Sequence, residues 1–224
     1  MPETKQPEGT EAAILAAAVE LIEESGSDLL RVQDVARFAE VGIPTIYYYF
    51  TNRTRLVAAA QAWRFRQIIE AGNPARDKTI SAIDQADLEE YQQSVATSRN
   101  GLWSAETREL LWDLVEILAD VRRDPEIRSQ VGVVVEEALL PRVEAVKELQ
   151  RLGWVTDAVD AKAWVMFYFG AVFGQVIIEI SEKTPPEAQD FQRVLDFVHT
   201  LVSPVDGAAD TSESETSKGK SSEH

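Results

Sequence analysis

A chain of 224 residues with 45% hydrophobic content can bury one sizeable core or two small ones. It contains no cysteine, which excludes a disulfide framework, thiolate catalysis and any thiolate metal site. A formal charge of −16 argues at first sight against a nucleic-acid partner, and the polar, acidic start MPETKQPEGTEAA does not read as a signal peptide, so a cytoplasmic protein is expected.

Residues 1–9 hold two prolines and a glycine without periodicity and read as a disordered arm. Thr10 is a candidate N-cap for a helix whose stripe is Ile14, Leu15, Ala18, Leu21 and Ile22, closed by Gly26. A second, short helix over about Val32–Ala39 buries Val32, Val35, Ala36 and Ala39. The third starts near Pro44, suited to a first helical turn, and ends about Phe50. Asn52 is a plausible cap for a fourth helix beginning at Arg53 and carrying Leu56, Val57, Ala60 and Trp63.

Further on, Gly72–Asp77 contains Pro74 and reads as a break. Ala86–Ser98 and Thr107–Arg122 are helix candidates, and Asp124-Pro125 opens another that runs to about Leu152, with Pro141 expected to kink or split it. A long apolar helix follows over about Asp157–Ser181, then a turn at Lys183–Pro186 and a last helix over about Glu187–Val202. The tail from 203 to 224 has almost nothing to bury and reads as disordered. No strand pattern competes, so the fold class is all-α.

Two short helices joined by a turn of about four residues form a helix-turn-helix, whose second helix presents its N-terminal residues to base edges in the major groove. In VGIPTIYYYF, Ile46 and Phe50 are four apart and face inward, which fans Tyr47, Tyr48 and Tyr49 over the remaining arc. Aromatic packing in a small bundle is the competing account. Three adjacent positions cannot all face inward at 3.6 residues per turn, however, so at least one ring is exposed. A phenol there lays its ring on a sugar or thymine methyl and donates its hydroxyl to a phosphate. The charge is also uneven. Residues 1–66 hold seven Lys and Arg against nine Asp and Glu, a net −2, while 67–224 carry a net −14. The front is permissive for DNA without a basic footprint, its cations being mainly Arg31, Arg37, Arg53, Arg55, Arg64 and Arg66.

The runs AILAAAVELIEESG, VQDVARFAEV and PTIYYYFTNRTRL, at this spacing, resemble the N-terminal domain of the TetR family of bacterial transcriptional repressors. The motif occupies about the first 66 residues, and the remainder resembles the family only as a helical domain of suitable length. The resemblance implies a helix-turn-helix DNA-binding domain over 10–52 and a helical ligand-binding and dimerisation domain over 53–202. It implies a homodimer that binds a palindromic operator and releases it when a small molecule occupies the larger domain. Carried over by position, Gln33, Ile43, Pro44 and Tyr47 match places that reach base edges, and Thr45, Tyr48, Tyr49 and Arg53 places that hold phosphates. The chain departs from the family pattern at Arg31, where a Ser or Thr cap is usual, and at Glu40, where the turn usually has glycine. It also has Gly42-Ile43 for a common Ser-Lys pair and Tyr49 for a common histidine. A left-handed Glu40 would cost on the order of 1 kcal/mol and set an acid beside DNA.

The stretch AWVMFYFGAVFGQVIIEI over 163–180 approaches transmembrane length, but Gln175, Glu179 and the lack of a basic flank count against a span. A helix apolar all round must be covered on more than one side, by its own core and by a partner subunit. The final helix adds a stripe at Phe191, Val194, Leu195, Val198, Leu201 and Val202. In the family these two helices pair with their symmetry mates. Gly170 and Gly174 either admit a partner helix closely or make room within the monomer. The large rings Trp63, Tyr91, Trp103 and Trp112, with Trp164, Phe167 and Phe173, are either core residues or the walls of a pocket for an apolar or aromatic effector. His199 and His224 are the only histidines, with His199 expected on a helix surface, so no metal site, cofactor or catalytic residue is assigned. The alternatives from other classes are a helical enzyme or ligand-binding protein, and a dimerising partner of another regulator that does not bind DNA.

Overall fold

The computed structural model describes residues 8–71, 73–101, 104–180 and 187–203. The regular elements among them are all helical: α1 (Thr10–Ser25), α2 (Val32–Phe38), α3 (Ile43–Phe50), α4 (Arg53–Ala71), α5 (Asn73–Asp84), α6 (Leu88–Gly101), α7 (Ala105–Arg123), α8 (Pro125–Arg151), α9 (Ala161–Ile180) and α10 (Ala188–Val202). A 3-10 turn over Ser27–Leu29 joins α1 to α2. The all-α architecture follows from the periodicity of apolar residues, which stays near 3.6 throughout.

The N-terminal unit obeys its pattern closely. Ile14, Leu15, Ala18 and Ile22 of α1 pack on Val32, Val35 and Ala36 of α2 and on Ile46 and Phe50 of α3 in one buried cluster. Gly9, not Thr10, precedes α1, and Thr10 is its first helical residue without a side-chain cap. Asn52 does cap α4, its Oδ1 accepting from the Arg55 backbone N–H at 2.9 Å. Arg31, at the cap of α2, makes no capping hydrogen bond with its side chain, as the departure from Ser or Thr predicts.

The same buried cluster runs on through Leu56, Val57 and Ala60 of α4 into Ile117 of α7 and Ile127, Val131 and Val134 of α8. The N-terminal unit therefore shares one core with the following helices, and α4 is the element common to both. Smaller clusters join α5, α6, α8 and α10 around Ile83, Tyr91, Leu149 and Val202, and α8 with α9 around Val146, Ala161 and Val165.

Two breaks expected from proline behave differently. Where a break was expected over 72–77, α5 is already helical from Asn73. Pro74 falls in its first turn, where a missing N–H leaves no helical bond unmade. Pro141 lies inside α8, which continues as one helix of 27 residues. Packing against α4 and α9 along its length holds it together. The arm over 1–7, the turn at 183–186 and the tail over 204–224 lie outside the described residues.

The turn after α2 closes by a pair of bonds, Val41 N–H to Ala36 O at 2.9 Å and Glu40 N–H to Arg37 O at 3.3 Å. This pairing needs a left-handed residue at the second position, and Glu40 supplies it with φ +53°. Glycine adopts that geometry without a Cβ penalty. Glu40→Gly should therefore raise unfolding stability by about 1 kcal/mol, read as a higher urea midpoint at unchanged slope. A lower midpoint would show that the glutamate side chain contributes contacts that outweigh its backbone strain.

Candidate nucleic-acid interface and effector pocket

The short helix α3 has one buried face and one exposed face. Ile46 and Phe50 are buried at 1% and 5% exposure, while Tyr47, Tyr48 and Tyr49 stand at 47%, 82% and 39%. The rings of Tyr48 and Tyr49 meet edge-on with centroids 5.2 Å apart, so the aromatic surface is partly self-organised. Ile43 and Pro44 are exposed at the start of α3, Thr45 is half-buried, and Gln33 is exposed on α2. The structure thus gathers seven of the eight positions carried over from the family motif onto the outer side of α2 and α3 or its margin. Phe38, at 45% exposure, and Leu29, at 67%, are exposed apolar residues of the same unit that the sequence pattern did not single out.

Arg53, the eighth, is also exposed, at the start of α4, and its guanidinium has partners within the chain. Its Nε donates to Leu30 O at 2.8 Å, and its Nη2 donates to Ser27 O at 2.7 Å and Asp28 O at 2.9 Å. The guanidinium ties the start of α4 to the carbonyls of the 3-10 turn, an internal role that motif position alone does not reveal. The cation supply is thinner than the sequence count implied. Arg64 is buried, and Arg66 is largely so and paired with Glu137 at 2.6 Å. Between residues 32 and 50 the charges are Asp34, Arg37 and Glu40, and Arg37 pairs with Asp34 at 2.9 Å. A helix-turn-helix surface with this charge pattern must grip by shape, hydroxyls and backbone N–H groups.

Residues 14–60 match the sequence profile of the bacterial regulatory proteins, tetR family. This stretch is a TetR-family helix-turn-helix domain. No curated protein matches the chain significantly. Solved structures match its fold across most of its length. One from Mesorhizobium loti MAFF303099, assigned as a TetR-family transcriptional regulator, aligns with a TM-score of 0.62 at 17% identity, over 86% of this chain and 94% of that one. Another so assigned, from Rhodococcus sp., gives 0.59 at 20% identity, over 86% and 97%. The multidrug binding protein EbrR, in complex with imidazole, gives 0.57 at 22% identity, over 92% and 100%. The TetR-like fold therefore extends beyond the matched domain.

Outside the TetR-family domain, the large rings separate into different surroundings. Trp63 packs against the main core, and Tyr91 is buried with its ring 5.5 Å from that of Trp154. Trp112 is exposed on α7 and Phe173 is half-buried on α9. Trp103 lies outside the described residues. Trp164 and Phe167 stack at 5.8 Å. They line a cavity of about 30 Å³ with Val95 of α6, Tyr168 of α9, and Leu195, Val198 and His199 of α10. His199 is half-buried in that wall and not on an open helix surface. A cavity of this volume has room for no more than a few waters.

The apolar stripe read along α10 resolves into two faces. Leu195 and Val202 are buried, and Phe191 and Val198 half-buried, against their own subunit. Val194 and Leu201 point out at 58% and 65% exposure, joined by Phe197 at 63%. Phe197 lies three residues after Val194 and four before Leu201, a helical spacing that makes it legible in hindsight. On α9, Met166, Ile177 and Ile180 are exposed at 53%, 73% and 67%. A Cβ built at Gly170 or Gly174 meets no atom within 4 Å, so neither glycine makes room for a neighbour among the described residues of this subunit. Among the described residues no helix is long and apolar enough to cross a membrane.

Arg53→Ala should lower unfolding stability by about 1–3 kcal/mol through the loss of its charged hydrogen bonds, measured by urea denaturation of the full chain. An unchanged midpoint combined with weaker DNA binding would show that these bonds add little stability and that Arg53 acts as a phosphate contact.

Proposed function

We propose that this TetR-family chain is a cytoplasmic transcriptional repressor that binds a palindromic operator as a homodimer and releases it on taking up a small apolar or aromatic effector. The observation that carries the DNA reading is the outward tyrosine face of α3, exposed on a short helix whose other face is fully packed. In this reading Gln33, Ile43, Pro44 and Tyr47 approach base edges, with the apolar pair suited to a thymine methyl. Thr45, Tyr48, Tyr49 and the exposed Arg53 hold phosphates. Residues 10–52 form the reading head and 53–202 the regulatory body.

Support for the dimer comes from the second apolar face of α9 and α10, which one subunit leaves in water. Obligate interfaces bury ~2,000 Å² or more and resemble a core cut in half. Gly170 and Gly174, with open space above them, let a partner helix approach closely. The effector class follows from the aromatic wall of the α6–α9–α10 cavity, where Trp164 and Phe167 offer stacking and Tyr168 and His199 polar contacts. That EbrR binds multiple drugs on a similar fold is consistent with such a wall.

Gel shifts on DNA flanking the chain's own gene test the reading directly. The wild type should discriminate its operator from random duplex with a shallow salt slope, because few cations neutralise phosphates. Tyr47→Ala should weaken operator binding by about 1–3 kcal/mol, the range for one good base contact. Absence of discrimination at every salt concentration would end the repressor reading.

Phe197→Asp tests the dimer without touching the cavity wall. A carboxylate in the outward stripe would be buried unpaired in the interface, so light scattering should report monomer or aggregate and operator binding should vanish. A wild-type monomer at micromolar concentration, or a Phe197→Asp protein that remains a DNA-binding dimer, contradicts the assignment of this face.

A further inference from the structure

One guanidinium joins three helices where α4 leaves the N-terminal unit. Arg64 is 4% exposed. Its Nη2 donates to Asp113 Oδ1 at 2.5 Å, and Nη1 and Nη2 both donate to Glu116 Oε2 at 3.1 Å, both acids lying on α7. Its Nε lies 3.1 Å from Glu23 Oε1 of α1, an ion-pair contact without hydrogen-bond alignment. One turn earlier on α4, Gln61 is 1% exposed and donates from Nε2 to Asp120 Oδ2 at 2.5 Å. Its Oε1 is buried without a partner.

Stability alone gives a poor reason for this arrangement. Removing a guanidinium from water costs several kcal/mol, and replacing a buried ion pair by apolar side chains of similar volume is often neutral or stabilising. The surrounding seam is already apolar, with Ala60 and Leu56 on α4 and Ile117 on α7 fully buried. A methionine at 64 would extend it. An apolar seam tolerates small slides and rotations, whereas a planar fork set on two carboxylates of one helix defines both the rotation and the translation of α4 against α7.

We propose that Arg64 is a positioning residue that fixes the orientation of the α1–α3 reading head relative to the body, and thereby the separation of the two heads in the dimer. The proposal deepens the DNA-binding reading and rests on it for the dimer consequence. The geometry within one subunit can be tested without DNA. Glu23, Asp113 and Glu116 have side chains 50%, 38% and 66% exposed, so removing the arginine leaves them hydrated and strands no buried charge. Arg64→Met should therefore fold and melt cooperatively. Arg64→Lys keeps the charge, loses the fork, and guards against a failure of the first variant to fold.

The chain has no cysteine, so Ala16→Cys on α1 and Ala119→Cys on α7, both exposed, give a clean pair of spin labels on the full protein. With the labelled protein diluted into an excess of unlabelled protein, so that a dimer carries at most one labelled subunit, the label-to-label distance should be single and narrow with Arg64 present, and broadened or shifted in both variants. An unchanged distribution in either folded variant overturns the proposal. On the operator that wild type selects, a base pair inserted between the half-sites should be strongly disfavoured by wild type. The same discrimination should fall by roughly fivefold or more in Arg64→Met. Equal discrimination overturns the dimer consequence. A wild type that selects no duplex removes the DNA-binding reading, and the label distances still decide whether Arg64 fixes the joint.

Discussion

The burial of α4 on two sides at once constrains the rest of the molecule. Leu56, Ala58 and Ala60 are fully buried on this helix, with Val57 and Phe65 close behind, so α1 packs on one side and α8 along the other. The run of alanines keeps the helix thin, which brings neighbouring backbones close and raises the dispersion contacts per unit of seam. This helix contributes to the core of the TetR-like domain and to the core of the body together, and within its apolar seam Arg64 is the group proposed to set its rotation and translation against α7. The two regions share this helix, and no flexible linker separates them among the described residues.

The polar groups of α4 explain why the candidate interface is poor in cations. Arginines that look available in a list of charges are engaged within the chain: the exposed Arg53 by carbonyls at the 3-10 turn, and the inward-turned Arg64 and Arg66 by acids of α1 and α7 and by Glu137 of α8. The strongly acidic body is thus partly neutralised by cations borrowed from the front of the chain. On the proposed reading, the outward face of α3 must compensate with aromatic contact and hydroxyl donors. Such contacts are short-ranged and lose little to salt, in contrast to phosphate neutralisation by lysine and arginine. Glu40 adds a carboxylate at the turn beside this face and holds a left-handed backbone that glycine would adopt without strain.

The C-terminal helices carry apolar residues on opposite sides. On α10 the inner residues Leu195 and Val202 close the subunit, and the outer residues Val194, Phe197 and Leu201 stand in water. The aromatic cavity lies beneath the inner side and the proposed dimer surface on the outer one, a single helix apart. Occupation of the cavity by anything larger than a few waters would push on the same helix that carries the proposed dimer surface.

Periodicity was enough to establish the all-α class, the limits of α1 to α4 within one or two residues, and the inward pair Ile46 and Phe50, because these depend on local spacing and on turn chemistry within a few residues. The family motif was legible for the same reason, being confined to one stretch of contiguous sequence. Pro74 did not mark a break and Pro141 did not split its helix, since the effect of proline depends on where in a helix it falls and on what packs around it. Side-chain partners far apart in the sequence could not be read at all. That Arg64 and Arg66 face acids of α7 and α8, that Trp63 belongs to the core while Trp164 and Phe167 line a cavity, and that Val198 turns inward while Phe197 turns out are consequences of how helices cross. A single helix with apolar residues on two faces has no internal signal for which face its own subunit covers, and only the neighbouring helices supply that information.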